Sequence, residues 1–327
     1  MHVPAIAVVR GGYSGESVIS HQSASCMLKA LDPKRFDPYY VTLTRSPWTC
    51  ERPDGSSVPF DRGGFTLDRG NGPERFGAAL IAIHGTPGEN GLLQGYLDML
   101  EVPYQTGGVL NMSLTFSKYA TTALLRQLGF RVAPSVLVHR DLSVPEQAIE
   151  ALGLPVFVKP DQSGSSLGVS KVKSAAELPL ALEAAFRESS VVMVEGAVKG
   201  AELTCGVLTT ADGVRALPIC EIRTTREFFD YEAKYHATDT EEIVPRAAPR
   251  CRDPPGAGTV GSHLSGFGVS RHGPGRPLLD RFGTDHHRGE HHPGFAEASI
   301  FPKMLKADGL GVAAAVNGAL QDCLDRR

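Results

Sequence analysis

Short apolar runs that alternate with helix-period stretches constrain the fold of this chain more than any other feature. Residues 5–9 are wholly apolar and close on Gly11-Gly12, the pattern of a buried parallel strand entering a loop. From residue 14 to 31, polar and apolar side chains recur at helical spacing. Residues 41–43 and 78–83 repeat the strand pattern, and 90–100 read as a helix. Strands alternating with helices specify an α/β unit with a mostly parallel sheet, here ending near residue 109.

Further along, the spacing predicts a helix over 113–128 and a strand at 135–138. Ser143 is read as the N-cap of a helix over 144–152, with Pro145 tolerated in its first turn. A strand at 155–159, a Gly/Ser loop, a strand at 168–172 and a helix over 174–188 follow. A third unit is expected to open with a strand at 191–195. It continues through 202–208 and 215–222 into a polar, aromatic segment at 228–236, and it closes with a helix over 312–324. A length of 327 residues accommodates such a division into 1–110, 111–190 and 191–327.

Bulk properties exclude several classes. A net charge of −3 gives no reason to expect nucleic acid or an anionic membrane as partner. Six scattered cysteines without a CxxC pair indicate a reduced, cytoplasmic chain. The N-terminus lacks a basic n-region and a full h-region, so it reads as a first strand. No run approaches the roughly 18 apolar residues of a membrane span.

Chemistry concentrates in residues 159–170, K-P-D-Q-S-G-S-S-L-G-V-S. A lysine at a strand end followed by a Gly/Ser loop suits phosphate oxygens. Glycine admits backbone N–H groups, serine adds hydroxyl donors and lysine adds charge. The order GxxxxGK[ST] is absent, so this is no Walker loop. Lys118 opens the same unit, V-M-V-E ending at Glu195 closes it, and F-F-D-Y-E-A-K-Y occupies 228–235.

Taken together these segments resemble the D-alanine–D-alanine ligase family, of the ATP-grasp type. The likeness runs through G-G-Y-S-G-E-S (11–17), I-H-G-T-P-G-E-N-G-L-L-Q-G (83–95), V-K-P-D-Q-S-G-S-S-L-G-V-S-K (158–171) and F-F-D-Y-E-A-K-Y. It covers residues 1 to about 248 and resumes at Pro293. The resemblance implies three domains, the central and C-terminal ones gripping ATP between them. It implies that Lys118, Lys159 and Lys234 contact ATP phosphates beside Ser166. Glu195 and the backbone through Val198 would face adenine, and Glu202 the ribose. Glu16, Ser165 and Tyr235 would form a linked triad positioning the first D-alanine. His84 and Ser299 would lie near the second, with the N–H of Gly294 near the developing oxyanion. Without the family, His84 reads equally as a hydrogen-bonded loop histidine, Glu202 as a solvated strand carboxylate and Tyr235 as a core-edge aromatic.

The implied reaction is attack of the first D-alanine carboxylate on the γ-phosphate, giving an acylphosphate. The second amine then displaces phosphate through a tetrahedral intermediate. Mg²⁺, with Mn²⁺ as an alternative, would balance the accumulating charge. The family reading also implies a homodimer serving peptidoglycan synthesis. The Lys234-Tyr235 pair resembles the dipeptide-forming group rather than ligases that use D-lactate or D-serine.

One stretch departs from the plan. Between residues 251 and 292 only nine of 42 residues are apolar, about half the chain's 42% average, and thirteen are Gly or Pro. Neither a strand nor a helix period is present, and a structureless loop of that length is unusual in a compact domain. The family's R-x-D and E-x-N-T-x-P-G strings, which supply the arginine for the tetrahedral intermediate and the Mg²⁺ ligands, are missing apart from Pro293-Gly294. In their place stands D-H-H-R-G-E-H-H (285–292). Its spacing matches no zinc motif.

Reading one base later recovers both strings. H-R-G-E-H-H-P (287–293) can then encode T-E-V-N-T-T before the proline, and residues 268–277 can encode G-C-R-G-M-V-R-V-D. The expectation is that two compensating frameshifts bracket this region. Without its metal carboxylates the chain as written is expected to be severely impaired.

Overall fold

The computed structural model describes residues 3–164, 166–198, 200–210, 213–224, 240–245, 294–295 and 299–325. The first unit opens with β1 (Ala5–Gly11), α1 (Ser17–Ala30) and β2 (Asp37–Leu43). A meander follows: β3 (Thr49–Glu51), β4 (Ser57–Val58), β5 (Phe60–Asp61), β6 (Thr66–Asp68), β7 (Pro73–Arg75), then β8 (Ala78–Ile81). The main sheet has the order β4-β3-β2-β1-β8, and β1 runs parallel to both β2 and β8. Strands β3 and β4 add an antiparallel edge that the apolar pattern does not reveal, because they are two or three residues long and interrupted by turns.

Period-two alternation divides β1 between two cores. Ile6 and Val8 face Ala24 and Met27 of α1, whereas Ala7 and Val9 face Phe65, Phe76 and Leu93. The expected helix at 90–100 is α2 (Leu92–Met99). The helix expected over 113–128 is two, α3 (Val109–Phe116) and α4 (Lys118–Gln127). Ser117 separates them with extended backbone (φ −84°, ψ 113°), and its side chain caps α4 by accepting from the Ala120 N–H.

The second unit is a four-stranded antiparallel sheet built from β9 (Ser135–His139), β10 (Val156–Pro160), β11 (Ser170–Val172) and β12 (Val191–Gly196), in the order β11-β10-β12-β9. Two helices, α5 (Glu146–Glu150) and α6 (Leu178–Glu188), accompany it. Ser143 is not a cap: α5 starts at Glu146 behind Pro145, without a side-chain cap bond. The ring of Pro145 disfavours helical backbone at the residue before it, which delays the start. Strand β12, on which a third unit was expected to open, lies instead inside this sheet, between β10 and β9.

The remaining strands are β13 (Glu202–Thr204), β14 (Val207–Thr210), β15 (Gly213–Ala216), β16 (Cys220–Thr224) and β17 (Thr240–Ile243). They form a β13-β16-β17 sheet and a β14-β15 hairpin, so 202–208 is two strands rather than one. Two helices close the chain, α7 (Ile300–Ala307) and the expected α8 (Val312–Leu324). Their apolar faces do not form a core of their own. Phe295, Phe301, Met304, Val316 and Leu320 share one cluster with Ile6, Val8 and Met27 of the first unit. Polar contacts fix that seam, since the Asn317 side chain donates to Ala30 O (2.8 Å) and accepts from the Asp32 N–H (2.9 Å). The expected aromatic segment at 228–236 and the aberrant stretch at 251–292 lie outside the described residues.

No helix among the described residues is long and apolar enough to cross a membrane. Burial pushes the Cys50 and Cys220 thiols up to about 12, away from the thiolate form.

Candidate functional site

Three loops converge where the first unit meets the second. The loop after β1 carries Glu16, which is buried. The loop after β8 carries buried His84 and then Gly85. The third is the Gly/Ser loop after β10. Their approach is close enough to require glycine: a Cβ built on Gly164 would overlap the Glu16 carboxylate. One built on Gly85 would lie 2.7 Å from Ser14 Oγ and 3.4 Å from Glu16 Oε2. Ser14 Oγ also donates to His84 O (2.9 Å), which ties the first two loops together. Within the third loop, Ser166 adopts a left-handed backbone (φ 59°) and Leu167 N–H donates back to Gly164 O (3.1 Å).

The sheet beneath supplies the charges. Alternation sends Val156 and Val158 into the core under α6 and leaves Phe157 and Lys159 on the opposite face. Lys159 Nζ lies 2.5 Å from Glu195 Oε2 on neighbouring β12. The ammonium of Lys118 donates to three carbonyls at the root of the loop, Pro160 O (2.7 Å), Asp161 O (3.2 Å) and Ser163 O (2.8 Å). Asp161, which the motif reading passed over although it lies inside the quoted loop, is buried. Its Oδ1 accepts from the Tyr119 N–H (2.8 Å), and its own N–H donates to Val191 O (2.9 Å). That carboxylate holds the first turn of α4, and with it Lys118, against the loop. Val198 is half-exposed at the end of β12, and Glu202 begins β13 on the surface.

On the far side, Gly294 and Ser299 lie together: a Cβ on Gly294 would be 2.8 Å from Ser299 Oγ. The next residue, Phe295, is fully buried, and its N–H donates to Ser23 Oγ (3.2 Å), which in turn lies 3.2 Å from His84 Nε2. Contacts therefore link Glu16 to Gly85 and Gly164, and His84 through Ser23 to the backbone beside Gly294 and Ser299, while Lys118, Lys159 and Glu195 lie at the root of the Gly/Ser loop. Ser165, Lys234 and Tyr235 lie outside the described residues. Ser23, Asp161 and Gly164 are the residues that sequence reasoning missed, and only the last two lie in a segment it singled out.

Two sequence models and several relatives share this plan. The model for the "D-ala D-ala ligase N-terminus" matches residues 5–107, and that for the "D-ala D-ala ligase C-terminus" matches 124–251. A D-alanine–D-alanine ligase from Phocaeicola vulgatus is 42% identical over 245 residues, 75% of each chain. The chain belongs to the D-alanine–D-alanine ligase family. Other members similar to it are the ligase of Porphyromonas gingivalis, 45% identical over 248 residues (75% of this chain, 74% of that one), and the ligase of Parabacteroides distasonis, 33% identical over 98% of both chains. The fold is that of the solved D-alanyl-alanine synthetase A from Vibrio cholerae, with a TM-score of 0.76, 22% identity and 99% of each chain covered. A Bacillus anthracis D-alanine–D-alanine ligase complexed with ATP superposes with a TM-score of 0.66 over the whole of both chains, at 22% identity.

Members of this family are ATP-dependent ligases of the ATP-grasp type. Lys118 on α4 and Lys159 on β10 bring two ammonium groups to the root of the Gly/Ser loop. Among the described residues no group of three His, Cys, Asp or Glu is arranged to hold an ion, and the sequence lacks both ligand strings. The C-terminal family match stops at residue 251, where the apolar pattern also stops.

Proposed function

We propose that this chain is a D-alanine–D-alanine ligase scaffold, which joins two D-alanines through an acylphosphate when its metal motif is intact. The observation that carries this reading is the convergence of Glu16, His84-Gly85 and Gly164, backed by the Lys159–Glu195 pair. ATP phosphates would take up the ammonium groups of Lys118, Lys159 and Lys234 together with the N–H groups around Ser166. The adenine would lie along Glu195 and Val198, with its ribose at Glu202. Glu16, a buried carboxylate, matches the ammonium of the first D-alanine, and Ser165 and Tyr235 complete the triad that covers it. The second D-alanine would approach from His84 and Ser299, so that its amine attacks the acylphosphate with the oxyanion turned toward the Gly294 N–H.

Mg²⁺ (or Mn²⁺) is the family's charge-balancing ion, but its ligands are not intact here and no step is derived through it. The domain roles follow the same reading: the first unit presents the amino acids, and the second and third hold ATP. Cytoplasmic location, homodimerisation, service to peptidoglycan synthesis and independence from nucleic acid and membranes belong to it too.

The missing metal strings favour a second reading, an ATP-binding remnant without catalysis. Phosphate release on adding D-alanine separates the two. The chain as written should bind ATP saturably yet release phosphate at least ~100-fold more slowly than a version with residues 268–292 read one base later. Equal, undetectable release from both versions would exclude the ligase reading. D-lactate or D-serine outcompeting D-alanine as second substrate would redirect it to those ligases.

A further inference from the structure

We propose that Ser23 is a positioning residue that fixes the tautomer of His84 and registers it against the backbone that carries Gly294. The inference rests on the ligase reading for its consequence, though not for its geometry.

Ser23 lies on α1, fully buried, and its hydroxyl touches both the loop after β8 and the backbone at Phe295. A serine hydroxyl has one proton to donate and two lone pairs to offer. The Phe295 N–H, 3.2 Å away, takes one of those lone pairs. Serines and threonines inside helices commonly discharge their proton onto the carbonyl four residues back, as Thr115 and Thr122 do here (2.7 and 3.0 Å). Ser23 makes no such bond among the described residues. The acceptor within reach is His84 Nε2, at 3.2 Å. A buried hydroxyl proton is costly to leave unpaired, so the favoured arrangement has Ser23 Oγ–H donating to Nε2. Nε2 is then the bare nitrogen, and the proton of the neutral imidazole resides on Nδ1.

Two consequences follow for the reaction. His84 keeps its proton on Nδ1, with its ring held by Ser23, in the loop whose Gly85 meets Glu16. The same oxygen anchors Phe295, whose ring packs 5.4 Å from that of Phe301, and so sets the height of the adjoining Gly294 N–H. One hydroxyl thereby aligns a group near the second amino acid with the donor near the oxyanion, although the two lie more than 200 residues apart in the chain.

The test is ¹⁵N-histidine labelling of the full chain, with long-range ¹H–¹⁵N correlation at neutral pH and His84→Gln to assign the resonances. The expected pattern is a protonated Nδ1 and a bare Nε2 at His84. Ser23→Ala should abolish that pattern, and Ser23→Thr, which keeps the hydroxyl, should restore it. A protonated Nε2 in the parent chain would overturn the proposal, and so would an unchanged His84 pattern in Ser23→Ala. Should Ser23→Ala fail to fold, Ser23→Cys, a far weaker donor, replaces it with the same expected loss. None of these readouts needs turnover. A lack of ligase activity therefore bears on the functional reading and leaves the tautomer result standing.

Discussion

Residues 159–170 and residues 251–292 are both rich in glycine and poor in apolar side chains, yet only the first lies within the stretch that the family models match. The first segment is visibly anchored. Around the first segment, Lys159 pairs with Glu195, Lys118 gathers three of its carbonyls, buried Asp161 clasps α4, and Gly164 rests on Glu16. Its flanks are strands whose alternation can be read from the sequence. The second segment has neither period nor motif, and the strings that would give it a role appear only when it is read one base later. Glycine content alone thus says nothing about ligand binding. What matters is whether flanking elements hold the loop's backbone donors in one place.

That contrast can be attacked at its strongest point first. Lys159→Ala removes the ammonium proposed to meet phosphate and strands the nearly buried Glu195 carboxylate. ATP affinity should fall by roughly 10–100-fold in equilibrium titrations, corresponding to about 1.5–3 kcal/mol. An unchanged affinity would mean that this lysine does not face the nucleotide. Next in size is Gly164→Ala, where the added methyl meets the Glu16 carboxylate. Denaturant unfolding should record a loss of about 1–3 kcal/mol, with weaker ATP binding. Gly318→Ala serves as the control, because Gly318 has no positive φ and open space around it within α8, and it should stabilise by about 0.5–1 kcal/mol without affecting ATP. The smallest expectation concerns the histidines at 286, 287, 291 and 292. Metal analysis of the purified chain should find no stoichiometric zinc, and replacing all four with asparagine should leave the metal content unchanged. Zinc bound one-to-one and lost in that variant would give the second segment a role of its own.

Legibility in the sequence followed length and locality. Strands β1, β8, β10 and β12, the helices α1 and α8, and the phosphate-type loop all announce themselves through period or motif. The meander from β3 to β7 does not, since two-residue strands carry no period. The break at Ser117 was invisible because a serine inside a helical pattern is indistinguishable from a surface position until it caps something. The place of β12 inside the second sheet is a matter of pairing, which one strand's own pattern does not encode. For the site, family motifs pointed to Glu16, His84, Lys159 and Gly294. Ser23 was passed over because its partners are distant in sequence: the pairing of β8 with β1 brings His84 to it, and the packing of α7 and α8 on the first unit brings Phe295.

The central claim is that this ligase's missing metal strings lie one base out of frame, and the gene's nucleotide sequence across codons 245–300 tests it most directly. The account predicts that the shifted frame reads R-V-D within codons 268–277 and E-V-N-T-T immediately before Pro293. Codons whose shifted frame encodes neither string would contradict it, and would leave a ligase scaffold that has replaced its metal site.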